Sequence, residues 1–129
     1  MNKILVEVSI GELLDKISIL EIKSEKIKDP EKLNFINDEY KILKDQINTN
    51  IKNYSEIESL YNSLKEINSK LWVIEDDKRL CEKNSDFGEK FIKLSRDVHF
   101  LNDERAKLKL EINNKTGSKI KEIKEYTKY

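Results

Sequence analysis

Three of the 25 basic residues are arginines, Arg79, Arg96 and Arg105, and the other 22 are lysines. Arginine carries a planar, permanently charged fork that grips carboxylates and phosphates with two parallel hydrogen bonds. Its restriction to one stretch of a lysine-rich chain marks where such a fork is needed. Arg105 has a second distinction. It falls in the series Phe87, Phe91, Leu94, Val98, Leu101, Arg105, Leu108, Ile112, whose steps alternate between four and three and which is otherwise apolar. A guanidinium on such a line must be paired, because an unpaired buried charge costs about 3–5 kcal/mol. Beside this line runs another of small or polar residues, Ser95, His99, Asn102 and Ala106. Arg79, Arg96, His99, Asn102 and Arg105 are therefore candidate ligands for an anion such as a phosphate or carboxylate. None of them is assigned a catalytic role.

The competing reading is structural, and it is the simpler one. With a turn near Ser85, the two helices that bear the arginines form an antiparallel hairpin in which facing residue numbers sum to about 170. That register sets Glu75 beside Arg96 and Glu66 beside Arg105, while Glu75 and Arg79 form an i,i+4 pair in the favourable order. Glu66, Glu75, Asp76 and Asp103 are thus candidate ion-pair partners that would fix the register of the hairpin. A lone histidine beside an apolar line is more often a packing residue than a base. Trp72 reads as a core or interface anchor.

Several chemistries lack their residues. Cys81 and His99 do not make a zinc ligand set, and the chain contains no phosphate-binding glycine loop and no nucleophile elbow. A helical magnesium pyrophosphatase would need paired acidic motifs. Glu12 with Asp15 supplies half of that pattern, and Glu122 with Glu125 falls in the wrong order. A helical chorismate-mutase-like site matches the arginines only loosely. No metal and no cofactor is expected. Basic and acidic residues balance at 25 each, whereas nucleic-acid binding calls for a basic face. No apolar run approaches the ~18 residues that span a bilayer. A single cysteine suits a reducing cytoplasm.

The elements that position these residues are legible in the apolar spacing. Ile4, Val6 and Val8 have the period of a short strand, to be paired with a second copy or laid as an extended arm on helices. Ser9 and Glu12 are spaced as a capping box before Ile10, Leu13, Ile17 and Leu20. Leu14, Ile19 and Ile22 make that helix apolar nearly all round, as in a central helix. Asp29-Pro30 ends it and opens the next, which carries Leu33, Ile36, Tyr40, Leu43 and Ile47 and dissolves at Asn48-Thr49-Asn50. A second capping box, Ser55 with Glu58, opens a third helix, and Asp86 with Glu89 a fourth. The expectation is an all-α antiparallel bundle forming one helical domain over 1–129. Its parts are an arm at 1–8, helices at 10–28, 30–48, 56–83 and 87–115, and a tail at 118–129. With 39% charged and 37% apolar residues, a monomer would have a thin core. Homodimerisation through coiled-coil-like stripes would cover more of it. The expected role is that of a non-catalytic scaffold, adaptor or regulator with a protein partner. Binding of a small anion or sugar phosphate is the alternative.

Five segments also carry a resemblance. They are Val8-Ser-Ile-Gly-Glu-Leu-Leu-Asp-Lys16, Leu20-Glu-Ile-Lys23, Leu71-Trp-Val-Ile-Glu-Asp-Asp77, Asp86-Phe-Gly-Glu-Lys-Phe-Ile92 and Leu101-Asn-Asp-Glu-Arg-Ala106. Across nearly the whole chain they resemble a family of short bacterial and phage helical proteins of unknown function. That resemblance implies a setting near cell-surface polysaccharide genes and a supporting role there. It implies no catalytic residues.

Overall fold

A computed structural model describes residues 2–120 and 122–129. Four helices make an all-α bundle: α1 (Ile10–Lys26), α2 (Pro30–Asn50), α3 (Glu58–Lys83) and α4 (Glu89–Thr116). α1 packs against each of the other three. The sequence explains this central place. Leu14, Ile17, Leu20 and Ile22 are all buried although they point to different sides of the helix. Leu14 and Ile17 meet Ile47 of α2, Leu64 and Tyr61 of α3, Ile57 just before α3, and Ile112 of α4 in one core.

Helix ends follow local chemistry, with three corrections to the expected caps. The Ser9 hydroxyl accepts from the Glu12 amide at 3.1 Å, but Glu12 does not return the bond as a capping box requires; its carboxylate is drawn to Lys109 at 2.6 Å. α3 has no side-chain cap, because a single 3-10 turn at Tyr54–Glu56 feeds its first residues. Asp86 bonds the Gly88 amide at 3.3 Å and α4 begins without a side-chain cap. Asp29 and Pro30 open α2 as expected, with Asp29 accepting from the Glu31 amide at 3.0 Å. α2 runs on through Asn48-Thr49-Asn50, because Thr49 and Asn50 return hydrogen bonds to the carbonyls of Asp45 and Gln46. Gly117 adopts φ 69° and lets the Ser118 amide reach the Asn113 carbonyl at 2.9 Å, which closes α4.

The N-terminal residues form no strand among the described residues, and Ile4, Leu5 and Val6 lie exposed and away from the helices. Their alternation has nothing to pair with inside the chain.

Helix length sets the shape. α1 has 17 residues and α3 and α4 have 26 and 28, so a helix of roughly 25 Å crosses a hairpin of roughly 40 Å at 1.5 Å per residue. Near the open end of the hairpin, the Gly11 amide donates to Asn113 Oδ1 at 2.7 Å. A Cβ on Gly11 would stand 2.5 Å from the Lys109 carbonyl oxygen, so only glycine allows α1 and α4 this close. Beyond Leu71 and Arg105 the hairpin projects past α1 as a two-helix finger, in which Cys81 is the one buried apolar residue among those described.

Candidate functional site

A second heptad-like line on α1 builds the polar interior. Gly11, Asp15, Ser18 and Ile22, spaced four, three and four, are all buried. Asp15 is 2% exposed, and a carboxylate so placed needs its lone pairs filled. Arg105 Nε donates to Asp15 Oδ1 at 2.9 Å and Arg105 Nη2 to Oδ2 at 2.5 Å, the two-pronged grip of a guanidinium on a carboxylate. Asn68 Nδ2 donates to Asp15 Oδ1 and to Ser18 Oγ, both at 2.8 Å. The Ser18 hydroxyl donates to the Asp15 carbonyl at 2.7 Å. Three helices are thereby tied at one carboxylate. The Asp15 hydrogen bonds hold the Arg105 pKa above its ordinary value, outweighing burial, which lowers it. Among the described residues no buried side-chain nitrogen or oxygen lacks a partner.

Two further clusters flank it. Lys109, with a side chain 9% exposed, bonds Glu12 of α1 at 2.6 Å and Glu122 of the tail at 2.9 Å. Burial alone would lower the Lys109 pKa, and the two carboxylates outweigh it, so the net direction is upward. The Lys109 hydrogen bond in turn lowers that of Glu122. On the other side the Tyr61 hydroxyl donates to Glu21, and Lys65 bridges Glu21 and Glu25 at 3.0 and 3.1 Å. Burial first, then the Glu21 hydrogen bond, raises the Tyr61 pKa strongly.

Above Asp15 opens a groove of about 390 Å³ lined by Ile19, Asn68, Leu71, Trp72, Glu75, Asp76, Arg79 and Arg105. It unites Arg105 and Arg79 of the expected anion set, with Glu75, Asp76 and Trp72 on its wall. Arg79 is engaged, bonding the Glu75 carboxylate and carbonyl, each at 2.9 Å. Asn102 lies beside Arg105 Nη1 at 3.4 Å.

Arg96 and His99 are elsewhere. Arg96 is exposed in a shallow cleft with Asp97 and Phe100 and makes no ion pair among the described residues. His99 stacks near Phe100 and Tyr129, and Asp103 accepts from the Tyr129 hydroxyl.

Two expected pairs do not form. Glu75 holds Arg79 instead of Arg96, and Glu66 pairs with Lys70 at 3.6 Å instead of Arg105. The hairpin register relates only α3 and α4. Arg105 turns into the interior, where Asp15 of α1 waits, and Glu66 lies on the far face.

Chemically, the groove's charges are spoken for. Arg105 is matched by Asp15 and Arg79 by Glu75, which leaves Asp76 in excess and repels an anion. Both Asp15 carboxylate oxygens are taken up by three donors. Among the described residues no three His, Cys, Asp or Glu side chains gather to hold a metal, and no helix is long and apolar enough to cross a membrane.

The model of a protein family described as "Family of unknown function (DUF6165)" matches residues 4–129. No curated protein and no solved structure matches the chain.

Proposed function

We propose that this chain, which belongs to the DUF6165 family of unknown function, is a non-catalytic helical scaffold or adaptor that acts as a homodimer through protein–protein contacts. One observation carries the reading. The projecting finger leaves Val73, Leu80, Phe87, Ile92 and Phe100 between 41% and 54% exposed, a concentration of large apolar side chains that water does not favour. On its outer face Val73, Ile74, Phe100 and Leu101 line an apolar groove of about 640 Å³, edged by Glu66, Lys70 and Asp97. A two-fold contact requires a self-complementary surface. Acid and base mixed along this edge, with Lys93 beside Asp97, meet that requirement. Two fingers packed face to face form a four-helix, coiled-coil-like assembly. The exposed arm at Ile4–Val6 adds a second apolar element for a partner.

The groove over Asp15 supports the anion or sugar-phosphate reading less well, because its arginines are already paired. A buried free Cys81 suits a cytoplasmic setting. A supporting role beside cell-surface polysaccharide machinery, in bacteria or phage, is the context in which such an adaptor would serve.

The test is a pair of finger variants, Val73→Lys and Phe100→Lys. Both positions are exposed, so the helices should form as before by circular dichroism. Sedimentation should show a dimeric wild type and monomeric variants at micromolar concentration. Unchanged association in both variants would overturn the proposed interface.

A further inference from the structure

On the side of Arg105 away from the groove, α1, α4 and the tail enclose a small polar cavity of about 210 Å³, lined by Asn102, Arg105, Lys109, Lys124, Glu12 and Glu122. Asn102, Arg105 and Lys109 follow one another at i, i+3 and i+7 along one face of α4, so their donors converge. The Asn102 carbonyl oxygen accepts from Arg105, which leaves its amide N–H groups to face the cavity. Arg105 uses Nε and one N–H of Nη2 on Asp15. Lys109 uses Glu12 and Glu122.

The Glu122 carboxylate is unlike the other members of this cluster, because it comes from the irregular tail. Ile123, Tyr126 and Tyr129 are all more than two-thirds exposed, so little apolar burial holds the tail down. At the cavity it is held by one carboxylate on an almost fully buried ammonium, with Lys124 neutralising the same carboxylate at 3.2 Å. At its end Tyr129 packs on His99 and Phe100 and donates to Asp103.

We propose that this cavity is a binding site for a single carboxylate or phosphate group, and that Glu122 occupies it in cis as an internal stand-in for that group. The charges fit. Asp15 and Glu12 balance two of the three cations, and Glu122 balances the third. Without the Glu122 charge the site holds one uncompensated positive charge next to free N–H donors, the condition for anion capture. An external anion and the Glu122 carboxylate therefore exclude one another, and anion binding displaces the Glu122 side chain while Lys124 stays at the cavity. The proposal is independent of the finger interface.

The test uses the full chain and its Glu122→Gln variant, titrated separately with inorganic phosphate and with acetate and followed by amide chemical shifts. Removing a carboxylate that competes within the cavity should strengthen anion binding about tenfold or more. The shifts should be confined to residues around 102–109 and the tail. The stronger of the two probes identifies the group the site prefers. In the wild type, high concentrations of that probe should move the Ser118 and Ile123 amides toward their shifts in the anion-bound Glu122→Gln chain. Adding Asn102→Ala, or Lys109→Gln if the fold is retained by circular dichroism, to the Glu122→Gln chain should abolish the gain. No difference between wild type and Glu122→Gln for either anion, or a gain that survives both added substitutions, overturns the proposal.

Discussion

Arg105→Leu removes two of the three donors that hold the Asp15 carboxylate and leaves Asn68 alone against it. With Asp15 only 2% exposed, water cannot replace them without opening the interface between α1 and α4. Breaking a buried pair by removing one partner costs about 3–5 kcal/mol. The Arg105 side chain is 28% exposed, so some relaxation toward solvent is available and the lower end, ~3 kcal/mol, is expected. Against a typical total of roughly 5–15 kcal/mol, that is a large share. Asp15→Leu is asymmetric with it. Arg105 can then swing outward, and the loss reduces to the unmet bonds of Asn68, about 1–2 kcal/mol. The double variant should resemble Asp15→Leu, giving a coupling energy of roughly 3 kcal/mol between the two sites. Urea unfolding at pH 7, followed by circular dichroism at one fixed protein concentration, measures all four corners. A cost below about 1 kcal/mol for Arg105→Leu, or costs that simply add, would refute the role of this pair as the tie among three helices.

Other outcomes follow from the same geometry. Gly11→Ala places a methyl 2.5 Å from the Lys109 carbonyl oxygen; the helices must part, and urea unfolding should show a loss of about 1–3 kcal/mol despite alanine's better helix propensity. The Glu122 pKa lies below its ordinary 4.5, so its contribution to tail docking is complete above that value and lost as pH falls through the depressed one. The Lys109 pKa lies above 10.5, so its contribution is complete below that value and lost only as pH rises beyond it. The Ile123 amide shift should therefore stay constant from about pH 5 to 9 and move only in stronger acid or stronger base, and a transition near neutrality at that amide would contradict the Lys109–Glu122 link. Combining Val73→Lys with Phe100→Lys should leave thermal unfolding of the monomer nearly unchanged, since both side chains are already exposed.

The fold was legible because its apolar spacings are regular. α1 reads as central from Leu14, Ile19 and Ile22 off its main stripe, and Pro30 fixes where it gives way to α2. Arg105 was legible as an anomaly, since a guanidinium in an apolar series announces a buried partner. The partner itself was not. Asp15 lies 90 positions away on another helix, and the register of the hairpin offers partners on α3 alone. The line Gly11, Asp15, Ser18, Ile22 carried a signal, because small and polar residues at heptad spacing on a helix apolar elsewhere mark a close, hydrogen-bonded contact. Asn68, between Ile67 and Leu71, carried a weaker one. Lys109 carried none: one lysine among 22 becomes special only when α1 and the tail close over it. The Glu12 half of the Ser9–Glu12 capping box failed for a related reason. Glu12 had the spacing of a capping residue, but a buried ammonium competes better for a carboxylate than a backbone N–H does.

The most direct test of the finger as the interaction surface is amide hydrogen exchange across a dilution series of the full chain. If two copies pack finger to finger, protection over residues 72–83 and 89–100 should fall as the protein is diluted from ~100 µM to below 1 µM, because dissociation uncovers and loosens those helices. Protection over 14–22 of α1 should stay constant. Protection of the finger that is independent of concentration, in a chain that sediments near 15.3 kDa throughout, would contradict the account.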